Sequence, residues 1–396
     1  MTKDVNLVLP QTKSYILPTH THNEETTFLA KLSAIPGLDL RDNRGKRHDL
    51  VFVLFGFIYA LLTGNDGNMS AVHRAMKNKN SEICACLGIE NQLVVSRSQL
   101  PVILCKVDVR ILSEIVFCGW GVRIDVKARG WFALDGKELR GSILKGNRRG
   151  LAMVQAVSHL TGLSVGLTFY SGDKESEKPC FAQICEENEL YGEQLTADAL
   201  HLSQENTEQI NRADGIYVFG LKKNQKLLYQ DMEEHVAHYA AVEEQEEVER
   251  GHGRVEHRIY RAYDMEGDYS DERWDKSDLR TLVSVERIRK GLKGNRLTHD
   301  TSFYLSNQKA ERSKELFGAI RGHWRVETNH HYRDVTLKED KLRTKFNAIS
   351  KVAAVCRTVV LAILKPNKNF NSAARIQEFA DVPSTLKALL IAANFL

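Results

Sequence analysis

WFALDGKELRGS, residues 131–142, is the stretch on which the fold turns. Trp131 to Leu134 form an apolar run that ends at Asp135 and Gly136, which reads as a strand closed by an acid. Similar short runs, rich in valine, aromatic residues and glycine, lie downstream: LAMVQAV (151–157), GLSVGLTFY (162–170), QLTAD (194–198) and GIYVFGLK (215–222). Polar stretches compatible with helices separate the later runs, around 180–191 and 200–213. Three consecutive strands followed by helix and strand in alternation predict an α/β fold with a mixed sheet and flanking helices.

Outward from that block the texture changes. Residues 1–125 read as a helical N-terminal domain with a role in DNA binding. A helix over 24–35 stops at Pro36-Gly37, and LVFVLFGFIYALLT (50–63) reads as a buried helix. That run is shorter than the ~20 residues a membrane span needs. Met69 to Leu87 reads as a further helix, and a serine-capped helix with Pro101 in its first turn begins at Ser96. Two short helices around Gly88 are a candidate helix-turn-helix. Residues 126–231 form the first part of the sheet domain. Residues 232–309 read as an insertion with strand-like pieces at 257–263, 281–287 and 302–306. Its acidic run, Glu243, Glu244, Glu246, Glu247 and Glu249, reads as a solvated helix face. Residues 310–365 supply C-terminal helices, and 366–396 a tail.

Composition sets limits. The chain has 396 residues, 42% hydrophobic, with 55 basic and 51 acidic side chains and a net charge of +4. That total identifies no polyanion binder; the distribution of charge has to do so. Seven cysteines occur without a CxxC pair, which suits a reducing compartment and argues against a disulfide framework or a cysteine zinc finger. The first twenty residues lack the pattern of a secretory leader. A cytoplasmic, non-membrane protein is expected.

Candidate chemistry gathers at acids. Asp135 and Asp198 each end a strand, where α/β sheets bind ligands. Two such acids from neighbouring strands can share a metal, although either can also cap a turn. A third cluster lies in GHWRVETNHHYRDVTLKED. On one helix, Glu327, His330 or His331, and Asp334 would share a face. A carboxylate there would complete an oxygen-rich site of the kind Mg²⁺ prefers. His323, Glu327 and His331 at four-residue spacing are the zinc alternative. Trp324 reads as a packing residue, and His201 and His252 as structural.

Five blocks in order carry a family resemblance: ALDGKELRGS, LTADALHLSQ, GIYVFGLKKNQKLL, GHGRVEHR, and HWRVETNHHYRDVTLKED with the helix after it. Together, over roughly residues 25 to 365, they resemble bacterial insertion-sequence transposases of the H-repeat-associated (ISAs-one) family, in the DDE superfamily. The resemblance implies a ribonuclease H-like sheet and a transposase that cuts and joins DNA with two Mg²⁺ (or Mn²⁺) ions. It implies Asp135, Asp198 and Glu327 as catalytic metal ligands, with Asp334 the alternative third acid, otherwise free to pair with Arg343 or a backbone donor. It also implies double-stranded DNA as partner and a homo-oligomer that brings two ends together. Lys137, Arg140, Lys222, Asn224 and Gln225 follow strands near the acids and are candidate phosphate contacts. Arg254, Arg258, Arg287, Arg289 and Lys290 are candidates for holding flanking DNA. The rival readings are a catalytically degenerate or domesticated DNA-binding protein, and a nuclease that cuts without joining.

Overall fold

The computed structural model describes residues 26–396 apart from 66, 120–129, 172, 173, 252, 268, 293–296 and 365–370. The boundary expected at 125/126, His252 and the start of the 24–35 helix lie outside the described residues. Among the described residues nine strands join one sheet: β1 (Trp131–Glu138), β2 (Ala152–Ser158), β3 (Ser164–Tyr170), β4 (Gln194–Ala197), β5 (Ile216–Leu221), β6 (Glu243–Gly251), β7 (Arg254–Asp264), β8 (Thr281–Gly291) and β9 (Leu297–Ser306). Their order is β3-β2-β1-β4-β5-β9-β8-β7-β6. β1, β2 and β3 form an antiparallel meander, whereas β1, β4 and β5 are parallel. The parallel steps run through the helices Lys174–Glu187 and Gln204–Arg212, since parallel strands need a long crossover. This is the ribonuclease H-like layout. β1 runs past its apolar stretch, because pairing with β2 continues through Gly136↔Val154 and Lys137↔Met153. Asp135 therefore sits within the strand, opposite Gln155, and not at its end.

The insertion is β6–β9, an antiparallel meander joined to β5 through β9. The acidic run is its outer strand, β6, not a helix face. Opposite charges across the ladder explain this: Glu244 bonds Arg261, Glu246 lies 2.9 Å from the His257 ring, and Glu249 bonds Arg258. A charged outer strand also resists pairing with other chains.

Behind the sheet lies an apolar helical core. The helix Leu50–Leu62 starts at Asp49, whose carboxylate accepts the Phe52 amide at 2.7 Å. It is buried nearly all round, and Gly56 lets it close on its neighbour: a Cβ there would meet the Met76 Cε at 2.7 Å. The stretch 69–87 is two helices, Met69–Asn78 and Asn80–Leu87, the second ended by Gly88 in the left-handed region. The helix Asn347–Leu364 is long and apolar enough to cross a membrane by length and composition, yet it is buried against Leu50–Leu62. Of the stretch read as a tail, residues 371–396 are described and are helical over most of their length. They carry the helices Ser372–Asp381 and Pro383–Ala392, drawn in by Leu386, Leu390 and Phe395, which are fully buried. Their end folds onto the start of the described chain: the Phe28 and Leu29 amides donate to Asn394 O and Phe395 O at 3.1 Å.

The glycine of LRGS has a packing reason. Gly141 O accepts the Thr344 amide at 3.2 Å, and a Cβ on Gly141 would lie 2.3 Å from the Leu342 carbonyl oxygen. Backbone gives way less readily than a side chain tip. Gly141→Ala should therefore lower the unfolding free energy by ~1–3 kcal/mol, the cost of overpacking. The measurement is the urea midpoint at constant slope; an unshifted midpoint would show that the 342–344 segment yields freely.

Candidate active site

β1 and β4 run side by side, with Leu134 opposite Ala197, so the next residues, Asp135 and Asp198, emerge as neighbours. Asp198 begins a turn in which its Oδ1 accepts the Leu200 amide at 2.9 Å. Burial pushes the Asp135 carboxyl up to about 7, and the Asp198 carboxylate beside it adds to the shift. The Gly136 amide, donating to Asp135 Oδ1 at 2.9 Å, opposes it.

The helix Trp324–His331 packs on β1 and β2. Its Glu327 is exposed and lines, with Asp198, a cavity of about 990 Å³. Although Glu327 is open to solvent, the protein walls around it partly desolvate its carboxyl and raise its pKa, and the Arg287 charge opposes that. One turn later, His330 Nδ1 stands 3.6 Å from Asp135 Oδ2. Asp334 is engaged elsewhere. A π-helical turn, Tyr332–Thr336, carries it to Lys137 Nζ at 2.7 Å, so its partner is Lys137 and not Arg343. The zinc alternative does not form: His331 is exposed, His323 Nδ1 is bonded to Thr196 Oγ1 at 3.0 Å, and among the described residues no three His, Cys, Asp or Glu side chains gather as a ready metal cluster.

The basic candidates divide. Lys222, Arg254, Arg258, Arg287 and Arg289 line the cavity that Asp198 and Glu327 share, whereas exposed Lys290 is not part of its lining. Carboxylates of the insertion already hold four of these arginines. Arg258 bonds Glu249 and Glu256; Arg254 and Arg289 pair with Glu256; Arg287 lies 3.7 Å from Asp300. Lys137 is 7% exposed and lies among Asp334, Glu339 and Asp340, out of reach of a phosphate. Arg140 is exposed beside Asp340. Asn224 and Gln225 donate to Ala199 O and Leu202 O, bracing the turn after Asp198. Trp324 is not packed: it is 57% exposed and lines the cavity.

Several residues near the acids were not read from sequence. Glu177 accepts the Tyr170 hydroxyl at 2.8 Å, lies 3.4 Å from buried His201, and adds negative charge at Asp135. Gly136 makes room for it, since a Cβ there would meet Glu177 Oε1 at 2.3 Å. Gln155 is fully buried beside Asp135 on the sheet face, and its amide, like His330 Nε2, has no partner among the described residues. An isolated glutamate and a glutamine inside an apolar run carry no periodic signal. Only the register with β1 identifies them.

Comparison with known proteins follows the geometry. The family described as transposase DDE domain matches residues 129–362. The chain is 27% identical over 252 residues to the putative protein YbfL of Escherichia coli K12, and 26% identical over 252 residues to the H repeat-associated putative transposase YhhI of the same strain. Each match covers 61% of this chain and 66% of the relative, just under two thirds of its length. The putative transposase YncI of E. coli O157:H7 is 23% identical over 356 residues, 88% of this chain and 90% of that protein. A piggyBac transposase synaptic complex with hairpin DNA overlays 94% of this chain and 79% of its own at a TM-score of 0.42 and 10% identity, too loose a likeness to carry positions across.

The acid pair has a measurable consequence. The folded pKa of Asp135 lies above its ordinary value of 3.8, so the group opposes folding increasingly as pH rises from there to about 7, and fully above that. In divalent-free buffer Asp135→Asn should melt a few degrees above the parent chain at pH 8, and the gap should close near pH 4. Equal melting points at both pH values would mean that another group compensates the charge.

Proposed function

The chain belongs to the transposase DDE domain family, and from that premise we propose that it cuts and joins DNA at the ends of an insertion sequence, with Asp135, Asp198 and Glu327 as its catalytic acids. The observation that carries this reading is the juxtaposition itself. Two carboxylates stand side by side on neighbouring parallel strands, Asp135 within β1 and Asp198 just past β4, and Asp198 shares an arginine-lined cavity with a helical glutamate.

The chemistry of the donors suits divalent cations, although the three acids are not gathered into one cluster among the described residues. The ligands are carboxylate oxygens, as hard cations require. Burial and the charge of Asp198 together raise the Asp135 carboxyl more than the Gly136 amide and His201 lower it, and among the described residues the Gln155 amide and His330 Nε2 beside Asp135 have no partner. Two Mg²⁺ or Mn²⁺ ions, held by Asp135, Asp198 and Glu327, would stabilise the attacking and leaving oxygens of an in-line displacement at phosphorus. The turn after Asp198, braced by Asn224 and Gln225, fixes the direction of that acid. Arg254, Arg258, Arg287, Arg289 and Lys222 hold the DNA backbone along the cavity, exchanging bonds to Glu249, Glu256 and Asp300 for bonds to phosphate. Water first frees a 3′-hydroxyl at the element's end, and that hydroxyl then attacks target DNA. The helical region before β1 contributes further DNA contact, a homo-oligomer brings two ends together, and the work takes place in the cytoplasm, where the bacterial chromosome lies.

The bond of Asp334 to Lys137 supports Glu327 as the third acid. Glu327→Gln should lower Mg²⁺-dependent cleavage of an end-bearing duplex by roughly 10³-fold or more, the scale on which one member of a catalytic set acts, while DNA is still bound. Asp334→Asn should act through lowered stability. Normal cleavage by Glu327→Gln, together with a folded but inert Asp334→Asn, would reverse the assignment. Product analysis on the same substrate separates the rivals: cleavage without strand transfer marks a nuclease, and binding without cleavage a degenerate copy.

DNA affinity should also fall steeply with salt, because each phosphate contact releases counterions, with log K losing ~0.9 per contact per decade of salt. A flat salt titration would remove the phosphate-binding role of the cavity.

A further inference from the structure

A chain of three side chains crosses from the sheet to the cavity. His159, just after β2, places Nε2 3.0 Å from Thr196 Oγ1 on β4, and the same oxygen lies 3.0 Å from His323 Nδ1. His323 stands one helical turn before Glu327 and lines the cavity with it and with Asp198. Gly322 allows the close approach, since a Cβ there would meet His159 Nδ1 at 2.2 Å. The two nitrogens of an imidazole lie on opposite edges of the ring. Holding Nδ1 against β4 turns Nε2 away from the strand, toward the cavity side.

We propose that His323 is a substrate-contacting residue of this site, donating a hydrogen bond from Nε2 to a non-bridging oxygen of the phosphate being cut, with Thr196 and His159 fixing its ring and tautomer. This rests on the transposase reading of the cavity. One hydroxyl proton between two ring nitrogens allows the relay to run either way, and a donor on Nε2 of His323 corresponds to the sense that starts at His159. Thr196 has one hydroxyl proton and two ring nitrogens at 3.0 Å, while its remaining acceptor, Phe132 O, is farther at 3.5 Å. The His159 Nε2–H donates to Thr196, the Thr196 hydroxyl donates to His323 Nδ1, and the remaining proton of His323 sits on Nε2. The relay needs both rings neutral. Burial, which holds His159 down to about 3 and His323 down to about 4, keeps them so at physiological pH. A neutral donor suits a site crowded with acids: it binds a phosphate oxygen without adding a cation that would pair with Asp198.

The test is single-turnover Mg²⁺-dependent cleavage of an end-bearing duplex, with melting and DNA affinity measured alongside. His323→Ala should slow cleavage ~10²-fold, the effect of removing one preorganised donor, with DNA affinity unchanged. His323→Gln, which keeps an N–H, should recover part of that loss, and Thr196→Val should lose less than His323→Ala. A group that only supports the fold would not alter a stereospecific thio effect. Replacing the contacted non-bridging oxygen by sulfur should slow the parent chain and leave His323→Ala much less affected. Cleavage by a folded His323→Ala at the parent rate, or thio effects identical in the two proteins, would overturn the inference while leaving the transposase reading intact. Should His323→Ala fail to fold, the glutamine and valine variants decide: both at the parent rate, with its thio effect, overturn it. A parent chain that cuts no end-bearing DNA would overturn the transposase reading and this inference with it.

Discussion

A buried ion network ties the helical glutamate to the strand aspartate, and the geometry of the site depends on it. Arg333 and Glu339 are almost wholly buried, joined by two bonds at 2.8 and 2.9 Å. Arg333 also donates to Thr358 Oγ1 and Ala354 O on the core helix Asn347–Leu364. Lys137, two residues after Asp135 on β1, reaches Asp334, Glu339 and Asp340. Burial alone would raise the Glu339 carboxyl, but the Arg333, Arg357 and Lys137 charges hold it down to about 2, so it is ionised across the physiological range. Removing one partner from such a network strands a charge and costs about 3–5 kcal/mol. The RDVTLKED segment is thus a clamp between β1, the helix of Glu327 and the core. Its acids are engaged by basic partners, whereas Glu327, nearly two turns upstream, lines the cavity.

This division explains what the sequence made legible. Strand runs, their order and the acids at 135 and 198 follow from short-range pattern, because a buried strand that meets an acid is visible in a dozen residues. The helical core before β1 was visible for the same reason, in Leu50–Leu62. What could not be read depended on distant partners. Lys137 and Asp334 each resemble a surface or catalytic charge until they are seen to neutralise one another. The glutamates of β6 have helix-compatible composition, and only the arginines and histidine of β7 make them a strand. Trp324 reads as a core residue by type, yet it opens its helix on the cavity side and is exposed.

The insertion also changes what the sheet presents. The five-stranded part ends at β5, and without β9 that strand would offer an open edge beside Asp198. β9 covers the edge and continues the surface into a wall of arginines held in check by Glu249, Glu256 and Asp300. Arg321, on the helix Ser313–Gly322, reaches Glu249 at 2.7 Å, so the wall is fastened to the helical segment that leads to Glu327. The nearly balanced net charge of the chain therefore conceals a locally dense set of arginines, each paired with a carboxylate.

The closing of the chain on itself bears on when the site can exist during synthesis. The amides of Phe28 and Leu29 are satisfied by Asn394 and Phe395, the core helix Leu50–Leu62 rests on Asn347–Leu364, and the strand of Asp135 is clamped by residues two hundred positions later. Contacts so distant along the chain cannot form on a ribosome until nearly the whole polypeptide has emerged. A nascent or truncated product carries Asp135 and Asp198 but neither the glutamate nor the clamp. Until the segment from 327 to 341 has emerged, the two strand acids lack both the helical glutamate and its clamp, so the arrangement of the site is assembled only near the end of synthesis.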